Sequence, residues 1–149
     1  MKTIFFGTPE IAAEILKDII KDKVVFDIGA GEGQLLEQFK KYAKKVSGIE
    51  IDPERQAECQ KNGIEVILGD ILKQKLPPAD IYYLQVNSAV REEILKHIEG
   101  KYKFLILGVS NSENLPNPLN KYSDIIINIP LKNKEDFKLI IIKKNEKEI

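Results

Sequence analysis

The sequence predicts an α/β fold built on a mostly parallel, doubly wound sheet. Two observations carry that prediction. Five short apolar runs, each the length of a buried strand, alternate with amphipathic stretches long enough to be helices. After the fifth run the alternation stops, and two β-branched runs follow with only a short polar turn between them. That turn leaves no room for a helix, so the two runs pair antiparallel.

The elements follow in order. Residues 1–6 are a short apolar lead. Thr8-Pro9-Glu10 starts a helix, with Thr8 as its cap and Pro9 in the first turn, where a missing N–H costs nothing. Ile11, Ile15 and Ile19 carry its apolar stripe to about residue 20. Residues 23–28 form the first central strand, 32–43 a helix with Leu35, Leu36 and Phe39 inward, and 46–51 the second strand. Pro53 opens a helix that Asn62-Gly63 ends after residue 61. Residues 65–68 are the third strand, Pro77-Pro78 a turn and 80–86 the fourth strand. Asn87 or Ser88 caps the next helix, Gly100 stops it, and 102–107 form the fifth strand. Residues 110–121, rich in Asn, Ser and Pro, are a loop. The runs 124–131 and 137–144 pair across the turn 132–136, and the charged tail 145–149 frays. No repeat, low-complexity tract or linker divides the chain, so residues 1–149 read as one domain.

The densest signal lies at residues 24–33, Val-Val-Phe-Asp-Ile-Gly-Ala-Gly-Glu-Gly. An apolar strand ends in an acid, Asp27, and three glycines follow at alternate positions, Gly29, Gly31 and Gly33. A strand that runs through a glycine turn into a helix opens a nucleotide crevice in an α/β sheet, because a backbone without Cβ atoms lets a ligand approach closely. Dinucleotide sites favour G-x-G-x-x-G, whereas this chain has an acid followed by G-x-G-x-G. Nineteen residues past Gly31 a second apolar run ends in Glu50, near the spacing at which an acid reaches a ribose diol. A third run ends in Gly69-Asp70.

Taken together, Asp27, the glycine triplet, Glu50 and Gly69-Asp70 resemble motif I and the downstream acids of class I S-adenosylmethionine (SAM) methyltransferases. The resemblance runs from Thr8 to about Lys144. It implies a Rossmann-like, seven-stranded sheet of order 3-2-1-4-5-7-6, with the antiparallel pair at its C-terminal end, and SAM as cofactor. Under it, the segment of Gly29, Ala30, Gly31 and Gly33 cradles the ribose and the amino acid end. Asp27 orients that loop or reaches the ammonium, and Glu50 accepts hydrogen bonds from the ribose hydroxyls. Ile51 flanks the adenine, Asp70 accepts from its amino group, and Ile71 walls the ring. Thr8 either caps its helix or offers a hydroxyl to the amino acid end.

In this fold the end of the fourth strand carries chemistry. Enzymes that methylate amines of bases and glutamine often have Asn-Pro-Pro-Tyr there. This chain has Leu84-Gln85-Val86-Asn87, which argues against an N6-adenine or glutamine methylase of that type. Tyr83, Gln85 and Asn87 are the candidate catalytic residues. The stretch 82–95 resembles small archaeal-type protein-lysine methyltransferases, so the resemblance implies a protein lysine amine as acceptor. The alternatives are a methyltransferase acting on RNA or a small molecule, or a module that binds SAM without turnover. An amine attacks only when deprotonated, and desolvation beside a sulfonium favours the neutral form, so no general base is demanded. No spaced His or Cys set suggests a metal.

Charge and composition narrow the partners. The 23 basic and 23 acidic residues give zero formal net charge, which removes the simplest argument for nucleic acid. No apolar run approaches the roughly 18 residues that span a bilayer. The first residues lack a signal peptide's apolar stretch, so the sequence predicts a cytoplasmic protein. Cys59 is the single cysteine, which excludes an internal disulfide. The sequence leaves the oligomeric state open.

Overall fold

A computed structural model describes residues 3–6, 9–110, 123–129 and 137–143, with side chains described for 14–109 and 140–142. The elements in chain order are β1 (Thr3–Phe6), α1 (Pro9–Ile20), β2 (Val24–Ile28), α2 (Gln34–Phe39), β3 (Lys45–Glu50), α3 (Pro53–Lys61), β4 (Val66–Leu68), β5 (Ile81–Leu84), α4 (Ser88–Ile98), β6 (Phe104–Ser110), β7 (Ser123–Ile129) and β8 (Phe137–Lys143). A single 3-10 turn at Ile71–Lys73 follows β4.

The strands form one eight-stranded sheet in the order β1-β7-β8-β6-β5-β2-β3-β4. β8 alone runs antiparallel, wedged between β6 and β7. Read from the β4 edge, β4 to β7 reproduce the predicted neighbours 3-2-1-4-5-7-6. The addition is β1: the apolar lead pairs parallel with β7, Thr3 opposite Ile125, and extends the sheet at that edge.

The central strands are buried on both faces, as a parallel sheet covered on both sides requires. Phe26 and Ile28 of β2 and Tyr82 and Leu84 of β5 face a core closed by Ile94 and Ile98 of α4. Val25, Ile81 and Tyr83 face the opposite core, with Ile20 of α1 and Phe39 at the end of α2. Each layer includes an edge-on aromatic pair, Phe26 with Tyr82 at 6.0 Å and Phe39 with Tyr83 at 5.8 Å between centroids. Alternation along β2 puts Asp27 on the Tyr83 side, and the register sets it directly opposite Tyr83 on β5 and Gly48 on β3.

α2 is shorter than the 32–43 predicted. Gly33 still has a left-handed backbone (φ 81°), so the glycine turn uses the residues before Gln34. α3 begins as expected: Asp52 caps it by accepting from the N–H groups of Glu54 (2.9 Å) and Arg55 (3.3 Å), with Pro53 behind it. The predicted fourth strand, 80–86, ends earlier, at Leu84, which leaves Gln85, Val86 and Asn87 in the connection to α4. Thr8, the loop residues 111–121 and the tail 145–149 lie outside the described residues.

Candidate cofactor and active site

The carboxyl ends of β2, β3, β4 and β5 lie side by side, and the glycine turn after β2 divides the space in front of them. Two cavities meet at Gly29. The larger, about 650 Å³, is lined by Asp27, Gly29, Ala30, Gly31, Glu32, Gln34, Leu35, Gln38, Arg55, Tyr83 and Gln85. The smaller, about 280 Å³, is mostly apolar, lined by Ile28, Ile49, Ile51, Ile71, Leu72, Val86, Val90 and Ile94 with Glu50, Gly69 and Asp70 at its polar side. One chamber suits charged and polar groups and the other a flat apolar ring.

Glu50 ties the turn to the second strand. Its carboxylate, buried at the end of β3, accepts from the N–H of Gly31 at 2.7 Å through Oε2. Through Oε1 it accepts from Ile51 and Asp52, both at 3.0 Å. A carboxylate has about four acceptor positions, so three are used and one remains on Oε2 for a ligand hydroxyl. The sequence reading made Glu50 purely a ribose acceptor. Its larger visible role is to hold the loop, which the spacing between Gly31 and Glu50 does not reveal.

Two glycines in the turn are needed for different reasons. Gly31 (φ 58°) would carry a Cβ into open space, with nothing within 4 Å, so its emptiness serves the cavity. Gly33 (φ 81°) would carry a Cβ to 3.0 Å from the buried Cys59 Sγ, so its emptiness serves packing. Cys59 Sγ also donates to the Gly31 carbonyl at 3.1 Å, which places that cysteine under the turn as support.

Asp27 is the anomaly. It is 3% exposed, yet its Oδ1 has no hydrogen-bond partner among the described residues. Burial, and then the charge of Glu50, pushes its carboxyl up to about 7. Opposite it, burial and then the charge of Asp27 push the Tyr83 hydroxyl upward, so that group stays protonated. Tyr83 donates to Gln85 Oε1 at 3.0 Å. Asp27, Tyr83 and Gln85 therefore face one cavity, with Gln85 held at its mouth.

The other expected site residues divide. Ile51 lines the smaller cavity while 67% exposed, an apolar side chain awaiting cover. Ile71 is buried in the wall opposite. Asp70 also borders that cavity, but its Oδ1 accepts from Leu72 N–H at 3.0 Å, capping the 3-10 turn, and Oδ2 lies 3.7 Å from Lys73 Nζ. Asn87 borders neither cavity: its Oδ1 accepts from Ala89 N–H at 2.9 Å, which caps α4. Arg55 and Gln38, which the sequence reading did not select, both line the larger cavity. Their placement depends on the first turn of α3 and the last of α2, which no spacing rule singles out. The open space at Gly31, the orphaned Asp27 oxygen and the uncovered Ile51 fit a ligand with a cationic end and a flat ring, as SAM has.

A profile of the ribosomal RNA adenine dimethylase family matches residues 3–127. The "probable dimethyladenosine transferase" of Dictyostelium discoideum is 32% identical over 111 residues, covering 62% of this chain and 35% of that protein. The "probable ribosomal RNA small subunit methyltransferase A" of Methanosarcina barkeri is 37% identical over 90 residues, 56% of this chain and 31% of that protein. The chain thus spans about a third of the length of these curated relatives. Among solved structures, an RNA methyltransferase from Salinibacter ruber in complex with S-adenosylhomocysteine overlays with a TM-score of 0.66 at 14% identity, covering 95% of each chain. A dimethyladenosine transferase from Plasmodium falciparum overlays with a TM-score of 0.65 at 19% identity, covering 95% of this chain and 64% of that one. These overlays establish the class I methyltransferase fold. The family match overturns the expectation of a protein-lysine substrate and partner, since the matched family and relatives are named for RNA. Among the described residues, no helix is long and apolar enough to cross a membrane.

Proposed function

The chain belongs to the ribosomal RNA adenine dimethylase family of SAM-dependent methyltransferases, and from that premise we propose that it methylates the amino group of an adenine in RNA. The observation that carries this reading is the family match across residues 3–127, which includes every residue of both cavities. SAM supplies an electrophilic methyl group on a sulfonium. The residues of the chain bind it, orient it and position the base.

Gly31 leaves room for the amino acid end and the ribose, and the free acceptor position of Glu50 takes a ribose hydroxyl. Asp27, buried and with Oδ1 unpartnered among the described residues, would meet the cationic end, where its ionised form becomes favourable. Ile51 and Ile71 of the smaller cavity would hold the cofactor's ring, with Asp70 at the polar side of that cavity. In the larger cavity the Tyr83 hydroxyl fixes Gln85 by donating to Oε1. The second lone pair of that oxygen then accepts an N–H of the target amine. That bond orients the nitrogen for in-line attack: the N–CH3 bond would form as the S–CH3 bond breaks, S-adenosylhomocysteine would leave, and the methylated nitrogen would lose its proton to solvent, so orientation carries the catalysis. No metal enters this scheme.

A second reading has one observation behind it. Asn87 spends its Oδ1 on capping α4, so of the two polar residues after β5 only Gln85 reaches the cavity, consistent with binding without turnover. One experiment separates the two. Calorimetry with SAM is paired with transfer of labelled methyl from SAM to small-subunit ribosomal RNA, with methylated nucleosides identified by mass. The proposal expects binding and methylated adenosine, lost in Gln85→Ala. SAM binding without RNA methylation favours the second reading, and no SAM binding rejects both. Glu50→Ala is a poor probe, because it orphans three loop N–H groups as well as removing a ligand contact.

A further inference from the structure

Although the chain has zero net charge, its charges are segregated. The carboxylates of Asp27, Glu32 and Glu50 border the cavities. At the other end of α2, residues 40–45 read Lys-Lys-Tyr-Ala-Lys-Lys, and all four lysines are exposed. The turn before β2 docks against this segment: Lys44 N–H donates to the Lys23 carbonyl at 2.9 Å, and Asp22 N–H to the Tyr42 carbonyl at 3.1 Å. Lys21 and Lys23, both exposed, thus join the same surface. The acids nearby are fewer: Glu37 on α2, one turn before Lys40 and Lys41, Asp18 and Asp22 on the α1 side, and Glu65, which pairs with Lys45 at 3.3 Å.

An aromatic ring sits in the middle of this positive surface. Tyr42 is 41% exposed, with Lys17 Nζ 5.0 Å from its ring centroid. Lysines around an exposed aromatic ring match single-stranded RNA, whose phosphates seek cations and whose bases stack on aromatic faces. The patch is also connected to the larger cavity. Gln38 lines that cavity, and its Oε1 accepts from Lys41 Nζ at 3.2 Å. The six residues of α2 span about 9 Å, the length of roughly three stacked nucleotides at about 3.4 Å each.

We propose that the lysine-rich segment between α2 and β3, with Tyr42 at its centre, docks the backbone of an RNA strand whose target base enters the larger cavity. This rests on the RNA reading above, and it adds which surface holds the strand. The lysines neutralise phosphates within a few nucleotides of the target, and Tyr42 stacks on a neighbouring base. An RNA that reaches only the cavity is held weakly.

The test is fluorescence anisotropy with a labelled 24-nucleotide RNA hairpin with unpaired loop adenines, from about 50 to 300 mM salt. The variants are Lys40→Glu/Lys41→Glu/Lys44→Glu, the same triple to Gln, and Tyr42→Ala. A control with a charge change larger than that of the Gln triple carries Lys75→Glu and Lys96→Glu, neither of which borders the cavity that Lys40, Lys44 and Lys45 share with Gly63, Ile64 and Glu65. The expected result is a more than tenfold loss of RNA affinity in both patch triples. Their salt slope falls by about 2, since each single-strand phosphate contact contributes about 0.7. Tyr42→Ala shows a smaller, salt-insensitive loss. SAM titration of the Gln triple matches wild type and certifies its fold. Wild-type binding with unchanged affinity and slope in the Gln triple overturns the proposal, and so does an equal loss in the control. Failure of the wild type to bind RNA at 50 mM salt overturns the RNA reading itself, and the docking surface with it.

Discussion

Replacing Asp27 by asparagine is expected to stabilise the protein at pH 8 while weakening its hold on SAM. Asp27 is buried, and its carboxyl is pushed from an ordinary 3.8 to about 7. Between those values the native state binds the proton that the unfolded chain has released, so stability falls as pH rises from about 4 to about 7 and is flat above. The interval of about three pH units, at about 1.36 kcal/mol each, is roughly 4 kcal/mol lost to ionising this one group. Asparagine has the same shape without the charge, so Asp27→Asn recovers up to about 4 kcal/mol at pH 8 and nothing at pH 3.5. In urea, with a slope near 2 kcal/mol/M, this is a midpoint shift of up to about 2 M. Urea titrations of both proteins at the two pH values measure it. A variant no more stable than wild type at pH 8, or equally favoured at pH 3.5, refutes the reasoning. Strongly perturbed buried carboxyls cluster at functional sites. A cation bound beside Asp27 favours its ionised form, so SAM binding at pH 7 releases up to about half a proton from wild type and none from Asp27→Asn. Calorimetry in two buffers of different ionisation enthalpy counts that proton.

The remaining predictions separate loop, packing and chemistry. Gly31→Ala is expected to cost only about 1–2 kcal/mol of backbone strain, because its Cβ meets nothing, yet to weaken SAM binding strongly. Gly33→Ala adds overpacking against Cys59, about 1–3 kcal/mol more, so its defect appears first in thermal denaturation. Tyr83→Phe frees Gln85 while keeping the ring against Phe39. It is expected to lower the methyl-transfer rate with SAM affinity unchanged, and single-turnover assays at saturating SAM measure that split. Glu50→Gln places an amide where two or three N–H groups converge and is expected to cost about 1–3 kcal/mol, measured by urea denaturation.

Much of the fold was legible because a parallel sheet buries both faces of its central strands. Residues 24–28 and 81–84 are therefore continuous apolar runs interrupted only by Asp27, and the helices between them must be amphipathic. The strand at Thr3–Phe6 was not legible. A four-residue run with three apolar side chains is too short to distinguish a strand from a lead, and its partner, β7, lies some 120 positions away. The length of α2 was misjudged for a related reason. The apolar positions of a helix persist through the turns that follow it, whereas the left-handed backbone of Gly33 that delays its start leaves no mark in periodicity.

The glycine turn and the placing of Glu50 beside it were legible because they rest on backbone shape. A left-handed turn needs glycine, and an acid on the next strand must sit at a fixed distance from it, so spacing encodes geometry. The substrate side has no such rule. Gln85 and Asn87 are equally polar in the sequence, and only the early end of β5 and the cap of α4 show that one faces the cavity while the other is spent on the helix. Net charge is a poor guide to partners for a different reason: it is a sum, and recognition depends on position. Lysines gathered beyond α2 and carboxylates around the cavities cancel in the total. Under the proposed function, a cation and a polyanion bound at the two ends of one short helix would call for that separation. A chain charged uniformly in either sense would repel one of the two.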